Sequence, residues 1–296
     1  MTQRLFTNPI TRIVLGLLVC FAGFLISQNI AGKILSLTNL DKDFRNLFKG
    51  VTASVIVLCT YSTLFKFIEK RKISEMSTKG IVKNLTLGIL VGAALQCLTL
   101  LVIYLNNGFQ VLSVNPVSFI IIPLTIAFTI ATFEEILIRG ILFRIIEEKF
   151  GSYISLVISA IIFGALHLMN TSSSLISAIC IAVSGGLLLG AAYMYSRSLW
   201  LPIAIHFTWN FMQSGIFGAI TSGNEKTNSL LTTQITGTKL ITGGEFGPEG
   251  TIQAMVFCLA ATIAFMYLNI KKKMVIKPYW QKNNASSASH LFAKAI

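Results

Sequence analysis

IATFEEILIRGILFRIIEEKFG, residues 130–151, decides how the rest of the chain is read. Two adjacent carboxylates, Glu134 and Glu135, stand in an otherwise apolar run, and Arg139 follows Glu135 by one helical turn. Residues 117–133 before them carry no charge at all. A charge inside a membrane helix costs about 2.5–3.5 kcal/mol on insertion scales. Two acids and a base in one such segment therefore mark a functional site.

Working outward, the whole chain has the composition of a membrane protein. Its 296 residues are 54% hydrophobic and 12% charged, with mean hydropathy +0.74, whereas soluble domains carry about 25% charged residues. Apolar runs of the length that crosses a hydrocarbon core, about 20 residues, recur along it. The net charge of +13 does not point to nucleic acid, because the basic residues cluster between apolar spans, where they set topology and meet lipid headgroups. Cys20, Cys59, Cys97, Cys180 and Cys258 lie within apolar spans without CxxC spacing. They read as small buried hydrophobes rather than a disulfide framework or a zinc finger.

About eight transmembrane helices are expected, near 10–31, 51–67, 84–105, from 117 through the carboxylates, 153–169, 175–195, 199–220 and 251–270. The fold class is all-α and multi-pass. It divides into N-terminal helices (1–116), a core carrying the ionisable residues (117–220), a polar Thr-, Gly- and Asn-rich loop (221–250), and a last helix with a basic tail (251–296). The tail beyond Pro278 reads as solvated, with His290 a bystander. Alternate connectors hold eighteen Lys and Arg on one side and six on the other, so both termini are expected in the cytoplasm. Lys33, Lys42, Arg45 and Lys49 in the first connector run against that bias, offset by Asp41 and Asp43. In this orientation 221–250 is a non-cytoplasmic loop, on the wrong side to be a lid over a site entered from the cytoplasm.

Other polar residues fall at the depth of the carboxylates. Gly151 is the natural turn between the fourth and fifth spans. Glu134 precedes it by 17 residues and His167 follows it by 16, so in an antiparallel hairpin both lie about 25 Å from the turn. Counted from Arg144, Glu134 is about 15 Å deep; counted from Ser198, His206 is about 12 Å deep. Three spans thus bring ionisable groups to one layer. Glu135 and Arg139 are spaced to pair on one helix face, and Phe163 with His167, and His206 with Asn210, repeat the same interval. A carboxylate beside an imidazole can hold and deprotonate a water. A second imidazole and a carboxamide one turn apart can donate to the oxyanion of a tetrahedral intermediate. These are the parts that peptide hydrolysis needs.

The runs EEILIR (134–139), FGALH (163–167) and HFTWN (206–210) resemble the EExxxR, FxxxH and HxxxN motifs of the CPBP family. That family holds the type II CAAX prenyl endopeptidases and bacterial membrane proteins tied to bacteriocin processing and immunity. The resemblance covers 130–210, and GGEFGPEG before the last span looks like the corresponding loop of bacterial members. It implies an intramembrane endopeptidase of a multi-pass protein, in a bacterial plasma membrane, acting on a membrane-associated peptide or protein with or without a C-terminal lipid. It further implies Glu134 as general base, His167 as a water-positioning group, His206 and Asn210 as oxyanion donors, and Arg139 as the residue orienting Glu135.

No HExxH signature of a zinc protease is present. The mechanism implied requires no cofactor, and a single Zn held by His167, His206 and a glutamate is the alternative. A self-immunity or accessory protein, with or without catalysis, is the second reading; a proton-coupled transporter is the third. Inverted repeats and paired broken helices would mark the transporter, and the sequence shows neither. Substrate identity and oligomeric state are not encoded in any motif.

Overall fold

The computed structural model describes residues 8–281; Arg4, His290 and most of the polar tail lie outside them. Helices α1 (Pro9–Ser36), α2 (Lys42–Glu69) and α3 (Ile81–Leu105) come first. The side chain of Asn8 accepts from the Ile10 amide at 2.9 Å, with Pro9 in the first turn, satisfying donors that a helix start leaves open. A strand, β1 (Phe109–Val114), comes next.

The run Val117–Met169 is helical throughout except at Gly151, whose φ of 78° and ψ of 172° turn the chain back. A side chain there would be strained by the positive φ, and its Cβ would lie 2.8 Å from the Ile276 carbonyl. The run is therefore two helices, α4 (117–150) and α5 (152–169). Then come α6 (Leu175–Ser196), α7 (200–216), strand β2 (Leu231–Ile235) and α8 (Ile252–Lys271). Six described helices are long and apolar enough to cross a membrane, with 117–169 counted as one of them. The all-α membrane class read from sequence stands. The eight expected spans overlap α1–α8, but α7 is not among the helices long and apolar enough to cross, and α4 and α5 are counted as one.

Outward faces are apolar: Leu18, Leu90 and Ile263 are each more than half exposed. In water such a surface would be an aggregation liability; in a bilayer it is the solvated face. Inside, α1 packs along α2, α2 along α4, and α3 along α7. The small residues of SGGLLLGAA (184–192) allow close packing between α5 and α6. A Cβ on Gly186 would sit 2.7 Å from Ala160 Cα, so only glycine permits this approach.

The connectors sort into two ends as alternation requires. At one end Arg12, Glu69, Arg71, Glu75, Arg144 and Glu148 form a continuous ion-pair network. Arg197 pairs with Glu147 at the same end and also donates to the Met274 carbonyl. This network ties the starts or ends of α1, α2, α4, α6 and α8 together. At the other end β1 pairs antiparallel with β2, the Asn115 side chain donates to the Ser229 carbonyl at 2.9 Å, and the Ser172 amide donates to the Gly223 carbonyl at 3.3 Å. The uncharged loop 106–116 is therefore a strand rather than plain connector, and the 221–250 segment is structured.

Candidate active site

The first motif sits where its helix departs from regularity. Glu134 and Glu135 end the α-helical part of α4, and Ile136–Phe143 continue as π-helix. A second π stretch, Ala182–Leu187, lies opposite in α6. Such turns carry i→i+5 bonds and cluster at functional sites. Here Gly185 and Gly186 in the α6 stretch accept from Arg139 Nη2 at 3.2 and 3.1 Å.

Arg139 is fully buried, and its Nη1 donates to Glu135 Oε1 at 2.7 Å. Glu135 Oε1 also accepts from His206 Nδ1 at 3.0 Å. An ionised carboxylate offers no proton, so Nδ1 carries it. His206 Nε2 then faces Glu134 Oε2 at 3.9 Å. In α5, His167 Nδ1 lies 2.8 Å from the Phe163 carbonyl. A carbonyl only accepts, so this nitrogen is also protonated and Nε2 is left with its lone pair.

Glu134 differs from its neighbour. Its Oε2 is buried without a hydrogen-bond partner, although its side chain is 28% exposed. It lines two spaces at once. One is a polar cleft of about 980 Å³, open to solvent, shared with His167, His206, Asn210, Thr221 and Asn224. The other is an apolar groove of about 1210 Å³ between α1 and the α4–α5 pair, lined by Leu17, Phe21, Leu137, Ile162 and Leu166. His167 borders both. Among the described residues, the Asn210 carboxamide has no hydrogen-bonded partner, and it borders the cleft.

All seven residues singled out by sequence thus come together: Glu134, Glu135, Arg139, Phe163, His167, His206 and Asn210. Sequence reasoning missed Glu249. Its carboxylate accepts from the Ser222 amide, is 3% exposed, and lines a smaller chamber with His167, His206, Trp209 and Asn210. Burial pushes its carboxyl up, against the opposing Ser222 hydrogen bond and the nearby His167. The available signal was an acid in the Gly- and Pro-rich run GPEG, which a solvated loop would not need to bury. Within the 221–250 segment, Ser222 and Glu249 wall the site.

Among the described residues no three His, Cys, Asp or Glu side chains converge with a geometry that could hold a metal ion.

Residues 116–212 match the family model described as Type II CAAX prenyl endopeptidase Rce1-like. No curated protein and no solved structure matches the chain. The matched segment, about a third of the chain, contains the three motifs whose side chains meet at the cleft, and it is in this segment that the chain is similar to the CAAX-type intramembrane proteases.

Proposed function

We propose that the protein is an intramembrane endopeptidase that cleaves a peptide bond in a membrane-associated substrate with water activated by Glu134. The observation that carries this reading is the junction. Glu134, with its unpartnered oxygen, and His167, with its free Nε2, stand where a polar cleft meets an apolar groove.

In this mechanism a water from the cleft donates to Glu134 and to His167 Nε2. Glu134 takes a proton as the water oxygen bonds to the scissile carbonyl carbon. The developing oxyanion accepts from the Asn210 carboxamide and from His206 Nε2 when that ring is protonated. Glu134 then returns its proton to the leaving nitrogen as the C–N bond breaks, giving an amine and a carboxylic acid, whose remaining water-derived proton passes to the amine or to solvent. Arg139 and Glu135 touch no substrate; they hold the His206 ring. The sequence-level assignment of Arg139 as the residue that orients Glu135 fits this geometry. The mechanism routes no step through a metal.

The test is hydrolysis of prenylated and unprenylated reporter peptides by purified protein in detergent. Loss of a general base costs about 10²–10⁴-fold, so Glu134→Gln should fall at least about a hundredfold with an unchanged thermal transition. Wild-type activity should survive a strong chelator. A Glu134→Gln protein that cleaves at the wild-type rate would overturn the mechanism.

A further inference from the structure

Loop residues at one end of the molecule, the end that carries little positive charge, contribute to the lining of the polar cleft. Thr221, Asn224 and Thr227 line it beside Glu134 and His206. These residues belong to the end where β1 pairs with β2 and where Ser172 meets Gly223. The Arg12–Glu69–Arg144 network closes the opposite end, with Arg144 and Glu69 both largely buried.

Two independent observations then combine. The connectors grouped by that network carry most of the Lys and Arg, and such connectors stay on the cytoplasmic side. The charged side chains lining the cleft are Glu134 and Glu225, with no Lys or Arg among them, and Glu249 lies in the adjoining chamber. A substrate's terminal carboxylate entering here would meet like charge and no Lys or Arg in the lining.

From this geometry we infer that the substrate is a translocated peptide, whose apolar segment lies in the groove beside α1 and whose neutral or basic flank reaches Glu134 from the non-cytoplasmic face. The inference rests on the proteolysis reading for its chemistry and stands apart from it for the direction of access. A lipidated, acidic C-terminus presented from the cytoplasm is the substrate that this arrangement selects against.

Two measurements test it in full-length protein. Asn224 at the cleft mouth and Thr78 at the network end are both exposed, so each is replaced by cysteine in a background lacking Cys59 and Cys97, the exposed native thiols. A membrane-impermeant maleimide is then added to intact expressing cells. Asn224→Cys should label in intact cells and Thr78→Cys only after permeabilisation; the reverse pattern overturns the inference. Next, two reporters share one apolar segment and a neutral-to-basic flank but are anchored in opposite orientations. Glu134-dependent cleavage of the outward-flank reporter alone is expected, by at least tenfold over the other. Preferential cleavage of the cytoplasmic-flank reporter overturns the inference. Cleavage of neither counts against the proteolysis reading, while the labelling pattern still decides the direction of access.

Discussion

Phe163 is the side chain through which the three motifs touch one another. Its ring lies 4.8 Å from the His167 ring and 5.9 Å from the His206 ring, both edge-on, and the Arg139 guanidinium stacks over it at 4.6 Å. The phenylalanine of FxxxH is therefore a spacer that fixes three polar groups, with a cation–π contact on its face. Arg139 is the residue whose loss should be felt most in folding. Removing one partner of a buried ion pair costs about 3–5 kcal/mol, so Arg139→Ala should lower both yield and thermal transition. Arg139→Lys should not rescue it, because an ammonium cannot reproduce the planar fork that reaches Glu135 and two carbonyls together. Thermal unfolding of the detergent-purified variants checks both. His167→Ala is different in kind: it should abolish hydrolysis while leaving the transition near that of the wild type, since its one intramolecular hydrogen bond is to its own helix.

At the scale of elements, the helices and the motif layer were legible because both arise from local pattern. Long apolar runs with Gly151 between them gave α4 and α5, and equal distances from that turn put Glu134 level with His167. The strand pair was not legible. FQVLSV is short and uncharged, and its partner, Leu231–Ile235, lies more than a hundred residues away, so no local period announces the pairing. The inward placement of Glu249 was hidden for a similar reason: its burial depends on Ser222, 27 residues earlier in the chain. The π stretches leave no simple sequence mark either. One consequence concerns α5 against α6. A Gly186→Val protein must separate these helices to fit its side chain, which overpacking data put at about 1–3 kcal/mol. Because Gly185 and Gly186 also hold Arg139, activity should drop more steeply than stability in the same variant. Parallel hydrolysis and melting measurements check this.

At the scale of the whole molecule, the ion-pair end acts as a clasp with a defined acid limit. Glu75, in the connector between α2 and α3, is buried. Burial alone would raise its carboxyl, but hydrogen bonds from Arg71 and Tyr61 outweigh it and hold the group below 4.5. A depressed folded value means that the stabilisation is present at neutral pH and above 4.5. It is lost only as pH falls through the lower folded value. Wild type should therefore melt higher than Glu75→Gln at neutral pH, with the gap closing in strong acid. A pH series of melting curves reads this, and a gap that widens on acidification would contradict the sign. The charge bias between ends was visible in sequence, but not which end holds the opening, because that depends on how 221–250 folds back over α7.

In the proposed reaction, the meeting of cleft and groove at Glu134 also decides the fate of the cleavage products. A chain cut at that junction yields one fragment soluble in lipid and one soluble in water, each already in the space that leads to its own phase. The fragments would part by partition, sideways and outward, and rejoining them would require both to return from different solvents at once. Such a site resists product inhibition and reversal without any moving gate, simply because its two halves drain into different media.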